Sequence, residues 1–154
     1  LVTTFALYLQ RDLQVLVDRG VLKKATAPRT VSITFVIMGV LLSCVGLFPL
    51  SFSILLHNLS ASGMAVTFLV LLFASPWWLK GLPGRFFLVS FGFAAALIIG
   101  AVLFYPVQYW NLTAFELVAF AIIFAWIAIF IRYINALAEG PAPDAALTPE
   151  PATA

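Results

Sequence analysis

The chain is poor in charge. Only 9% of its 154 residues are Asp, Glu, Lys or Arg, against roughly a quarter in ordinary soluble domains. A fold in water could not cover its surface with so few polar groups, so lipid is the expected solvent for most side chains. The net charge of +2 gives no footprint for nucleic acid. Cys44 is the only cysteine. No internal disulfide and no cysteine-based metal site can form within one chain, and a lone Cys in an apolar run reads as a small packing residue. His57 is the only histidine. Bis-His haem ligation within the chain is excluded, and a zinc site would have only His57 and Glu116, short of the usual three or four ligands. Gly81-Leu82-Pro83-Gly84 lacks the Lys-Ser/Thr of a phosphate loop. No metal or cofactor is expected.

Apolar residues dominate instead. They make up 64% of the chain, and the mean hydropathy is +1.12. Four runs are long enough to cross a bilayer core, which takes about 20 helical residues: Val31 to Phe48, Phe52 to Ser75, Phe86 to Tyr105 and Leu112 to Ile131. Pro49, Pro76, Pro83 and Pro106 fall at their ends, where they interrupt no mid-membrane hydrogen bonding. Short turns make successive helices antiparallel neighbours. The expected fold is an all-α polytopic membrane bundle.

Basic residues are missing from two of the turns. Arg11, Arg19, Lys23, Lys24 and Arg29 precede the first run, Lys80 and Arg85 flank the second turn, and Arg132 closes the fourth run. None lies near Pro49 or between Tyr105 and Asn111. Cytoplasmic loops carry the excess of Lys and Arg, so both ends of the segment are expected in the cytoplasm. Trp77 and Trp78 then mark the inner interface, and Tyr105, Tyr109 and Trp110 the outer one.

The flanks differ from the bundle. Residues 1–29 read as a helix over Phe5 to Arg19, stopped by Gly20, and a basic connector. That helix is either the cytoplasmic end of a membrane helix that starts before Leu1 or an amphipathic helix lying in the interface. The bundle is expected over residues 30–137. Residues 138–154, with Pro141, Pro143, Pro149 and Pro151 among alanines, have too little apolar bulk to pack and read as a disordered tail.

Small residues recur at four-residue spacing, as Gly92, Ala96 and Gly100 on the third run and Ala121 and Ala125 on the fourth. Such stripes let helices approach closely in lipid. Packing within the chain is the expected use; a homo-oligomer seam through Gly92, Ala96 and Gly100 is the alternative.

Chemistry is confined to two ionisable residues inside the runs. His57 and Glu116 each lie about five residues from the outer end of a run, or about 6–8 Å deep at 1.5 Å per residue. Ser51, Ser53, Asn58 and Ser60 surround the first, and Gln108, Asn111 and Thr113 precede the second. An ionisable group in a span marks a functional site, because burying it unpaired costs several kcal/mol. Three explanations stand side by side. Thr113 and Glu116 fit a capping box; His57 could bond a carbonyl or serine on a neighbouring helix; or the two could pair directly or through water. A Ser–His catalytic pair with Ser51 or Ser53 also remains, though no nucleophile-elbow pattern supports it. Asn58-Leu59-Ser60 and Asn111-Leu112-Thr113 match the glycosylation sequon, but at this depth polar helix-end or interhelical contacts are expected. The candidate ligand-binding set is His57, Glu116, Asn58, Asn111 and Ser53.

Val45-Gly46-Leu47-Phe48-Pro49 followed by His57-Asn58-Leu59-Ser60-Ala61 resembles the Gly-x-Phe-Pro…His-Asn-x-x-Ala pattern of a family of bacterial integral membrane proteins of unknown function. That family looks related to the eukaryotic Frag/DRAM/Sfk proteins. The resemblance centres on residues 40–75, with a weaker match around Glu116. It implies six spans with both termini cytoplasmic, makes Leu1 to Leu9 the end of the second, and implies a bacterial plasma membrane location. It carries over Phe48, Pro49, His57, Asn58 and Glu116, and names no reaction. The leading expectation is a non-enzymatic protein that binds a membrane lipid or a partner membrane subunit at an outer-leaflet polar pocket. A small proton- or cation-coupled transporter is second and a lipid-modifying enzyme third.

Overall fold

The computed structural model describes residues 2–105, 107 and 111–140. Within them the chain is all-helical: α1 (Val2–Asp18), α2 (Ala27–Leu47), α3 (Ile54–Trp78), α4 (Gly84–Phe104) and α5 (Leu112–Glu139). Helices α2 to α5 are long and apolar enough to cross a membrane, and the chain is an integral membrane protein. Leu1, Pro106, Gln108, Tyr109, Trp110 and the tail from residue 141 lie outside the described residues.

Two helices run further than their apolar runs. The second run was expected to stop at Ser75, yet α3 continues through Pro76 to Trp78. Pro76 has no N–H to give the Leu72 carbonyl, and the Ser75 hydroxyl donates to that oxygen instead at 2.8 Å. Helix α5 passes Ile131 and ends at Glu139. Buried Ile134 and partly buried Leu137 and Ala138 keep its inner face in the core. Arg19, just past α1, closes its end, donating to the carbonyls of Gly140 at 2.7 Å and Leu137 at 3.4 Å. The boundary expected at residue 138 thus falls inside the last turn of α5. Elsewhere hydroxyls return to their own helix: Thr34, Ser43, Thr67 and Ser90 each donate to the carbonyl four residues back. An apolar solvent offers them no other partner.

Helix α1 runs antiparallel beside α2 and also touches α5. Phe5 meets Phe35 at 5.4 Å, and Leu13 and Leu16 are fully buried. Helix α1 thus packs side by side with the bundle through its apolar face. Gly20, at φ 72°, turns the chain away.

An aromatic core joins all five helices. Trp126 stacks on Phe130 at 5.0 Å and meets Phe68 edge-on at 5.5 Å. Phe130 also contacts Phe35 and Phe86. The Trp126 indole N–H donates to Ser90 Oγ at 3.0 Å, so the only polar atom of the ring is satisfied. Lipid tails are as apolar as these side chains, so close packing, not the exclusion of water, holds this core together.

The basic ends meet at one pole. Lys23 N–H donates to Lys80 O at 2.8 Å, joining the α1–α2 and α3–α4 turns, with Leu22, Leu79 and Leu82 buried between them. Gly81 is required here. Its φ is 123°, and a Cβ would lie 1.9 Å from the Val21 carbonyl oxygen.

The small-residue stripes serve packing within the chain only at Gly100, less than expected. Helix α4 buries Phe86, Ser90, Ala94, Leu97 and Gly100, so Gly92 and Ala96 face outward, and so do Ala121 and Ala125 on α5.

Candidate functional site

At the pole opposite the basic turns, three helix ends converge. Helix α2 finishes at Phe48, whose N–H reaches back to Cys44 O at 2.9 Å. Pro49 then turns the chain, and its carbonyl accepts from Phe52 N–H and Ser53 N–H. Ser53 starts α3 as its N-cap, accepting from Leu56 N–H at 3.3 Å. Asn111 starts α5 in the same way, accepting from Ala114 N–H at 2.8 Å. Both caps satisfy amides that have no partner inside the helix. Ser53 and Asn111, expected in the ligand-binding set, are therefore occupied as helix caps.

With these caps in place, His57 and Glu116 each lie one turn inside a helix and face one another. His57 Nε2 and Glu116 Oε1 are 3.1 Å apart. His57 Nδ1–H donates to Phe48 O at 3.0 Å, an oxygen left over at the end of α2. One side chain on α3 thus joins the end of α2 to the start of α5. The capping box expected for Thr113 and Glu116 is overturned. The cap is Asn111, two residues earlier, so Glu116 falls in the second turn and its side chain leaves the helix end. The Ser–His pair is overturned too, because both ring nitrogens are engaged elsewhere.

The hydrogen bonds constrain the proton count. A carbonyl only accepts, so Nδ1 carries a proton. Nε2 and Oε1 need one more between them. Imidazolium with carboxylate and neutral imidazole with carboxylic acid both supply it, and both leave the pair with no net charge. A neutral pair is the form that an apolar surrounding tolerates. The His57 side chain is 9% exposed and that of Glu116 28%.

Glu116 is more exposed because it edges a cleft of about 440 Å³ between α3, α4 and α5. The cleft runs from Asn58 and Tyr105 at the pole toward Leu69 and Ile123 in the core. Small residues create it: Ala61 and Ala65 on α3, Ala101 on α4 and Ala119 on α5 leave space between larger neighbours. Apart from Asn58, Ser62, Glu116 and the Tyr105 hydroxyl, its walls are apolar. Ala61 and Ala65, at four-residue spacing on α3, are the signal that a sequence search for small-residue stripes passes over. A second, wholly apolar cleft of about 360 Å³ lies between α2 and α5, with Met64, Phe120 and Ile123 as the shared wall.

No group of three metal-ligating side chains is present among the described residues. No family model, curated protein or solved structure matches the chain.

Proposed function

We propose that this membrane protein binds a lipid in the cleft beside Glu116, with one acyl chain between α3, α4 and α5 and the headgroup at the His57–Glu116 pole. The observation that carries this reading is the cleft itself. It is apolar along its length and polar at one end, the same division that a lipid has. Its volume lies in the range of small-molecule sites, about 300–1,000 Å³. The positive-inside rule supports placing the basic pole in the cytoplasm and the cleft's polar end in the outer leaflet. Under this reading the protein acts by recognition, without chemistry on the lipid. The Phe48–Pro49 and His57–Asn58 pattern supports a place among the bacterial relatives of the Frag/DRAM/Sfk proteins, in a plasma membrane.

Transport has less support. Protons or cations need a polar route between the poles, and Phe68, Trp126, Phe130 and Phe86 close the middle of the described bundle. The test is retention of lipid by purified protein, read by native mass spectrometry. Ala101→Trp, which fills the cleft, is expected to abolish lipid retention while the protein stays folded. Undiminished retention in that variant contradicts the proposal.

A further inference from the structure

Glu116 lines the polar end of the cleft, whereas its partner His57 does not. Glu116 uses Oε1 on His57, and Oε2 has no hydrogen-bond partner among the described residues. No Lys or Arg lies between Arg29 and Lys80 or between Arg85 and Arg132, so no cationic side chain other than His57 stands at this pole. The ring nitrogens of His57 are already taken. A headgroup with only negative charge would meet the free carboxylate oxygen, with no N–H of His57 left to receive it. A positive headgroup would meet an acceptor in a half-dry setting, where charge-assisted hydrogen bonds are strongest.

Two further groups fit a cation. The rings of Tyr105 and Phe115 line the same end of the cleft, with centroids 6.0 Å apart and planes at 70°. Aromatic faces attract ammonium groups. Asn58 lines the cleft as well. Its amide NH₂ supplies a neutral donor, enough for a phosphate or ester oxygen whose charge is balanced within the ligand.

We infer that the cleft selects a phospholipid bearing a primary ammonium group, with the ammonium on Glu116 beside the Tyr105 and Phe115 rings and the phosphate toward Asn58. A dissolved amine would satisfy the carboxylate and leave the apolar cleft unfilled; an amine-bearing lipid satisfies both. A primary ammonium has N–H donors for Oε2, which a quaternary choline lacks. The inference rests on the lipid-binding reading above and adds the class of headgroup.

Glu116→Gln separates charge from structure. A glutamine amide at this position donates to neutral His57 Nε2, which preserves the link between α3 and α5 and removes the negative charge. Purified wild type and Glu116→Gln are incubated with equimolar phosphatidylethanolamine, phosphatidylcholine and phosphatidylglycerol of identical chains. Retained lipid is read by native mass spectrometry, and folding by thermal unfolding. Wild type is expected to retain phosphatidylethanolamine over phosphatidylglycerol on the order of tenfold, the ratio that about 1.4 kcal/mol produces, with phosphatidylcholine between them. The variant is expected to unfold within a few degrees of wild type and to lose the preference. Retention without preference in wild type, or an unchanged preference in a folded Glu116→Gln protein, overturns the inference and leaves the lipid site standing. No retention of any lipid overturns both. If Glu116→Gln fails to fold, Tyr105→Leu with Phe115→Leu is the second variant. The preference is then expected to fall, and an unchanged preference overturns the inference.

Discussion

His57 and Glu116, 59 residues apart in the chain, meet at 3.1 Å and tie α3 to α5. The same imidazole holds the last carbonyl of α2 through Phe48 O. One ring thereby closes the pole at which no basic residue stands, as the loop contacts of Lys23, Lys80 and Arg19 close the other.

This link has a measurable coupling. A double-mutant cycle with His57→Ala and Glu116→Ala, read by unfolding in mixed micelles, is expected to give about 1 kcal/mol of interaction. That magnitude follows polar pairs in membrane proteins, about 0.6 on average and 1.7 at most, with Glu116 partly open to its surroundings. His57→Ala is expected to cost more than Glu116→Ala, because it also frees the Phe48 carbonyl. A coupling indistinguishable from zero means that the two side chains do not meet.

Trp126 is the centre of the aromatic core, and its substitution separates packing from hydrogen bonding. Trp126→Ala is expected to destabilise by about 3–5 kcal/mol, the usual cost of emptying a large aromatic site. Ser90→Ala leaves the indole N–H without its acceptor and is expected to cost about 1–3 kcal/mol. The pair combined is expected to cost less than the sum, because the indole is already gone. Equilibrium unfolding of the four proteins checks this.

Gly81 and Gly92 stand at opposite extremes of tolerance. Gly81→Ala places a Cβ against the Val21 carbonyl at a positive φ. It is expected to destabilise by more than about 1 kcal/mol, the scale at which compatible Gly-to-Ala changes act in the opposite direction. Gly92→Ala has open space around it and is expected to leave stability unchanged or raised. Thermal unfolding of the two variants side by side is the check.

Much of the bundle was legible in the sequence because lipid imposes few solutions. Four apolar runs with a single charged residue among them, Glu116, had to be helices, and they are. Their ends were harder. Pro76 reads as a stop, and only the Ser75 hydroxyl on Leu72 O shows why the helix passes it. Arg132 reads as the end of the fourth run, whereas contacts with α1 carry α5 on to Glu139. The shared depth of His57 and Glu116 placed them in reach of each other. Their orientation depended on which residue caps α5. Thr113 and Asn111 are both good caps, and the geometry that chooses Asn111 lies outside any local pattern. The cleft was not legible, because it arises from small residues on three helices that come together only after folding.

Orientation is open to a direct check. Replacing Cys44 with Ala and adding one cysteine at Ser51 or at Gly84 gives two probes, one at each pole. A membrane-impermeant maleimide added to intact cells is expected to label the Ser51→Cys protein and to spare the Gly84→Cys protein. The opposite pattern reverses the orientation and moves the cleft's polar end to the inner leaflet.

The lipid site itself is tested most directly with a phospholipid carrying a diazirine on its acyl chain. After illumination in nanodiscs, cross-linked peptides are mapped by mass spectrometry. Cross-links are expected to concentrate on residues 61–69 of α3, 97–102 of α4 and 115–123 of α5, and to disappear from them in Ala101→Trp. Cross-links spread evenly around the outer faces of the bundle, including Gly92, Ala96 and Ala125, would contradict a lipid held in the cleft.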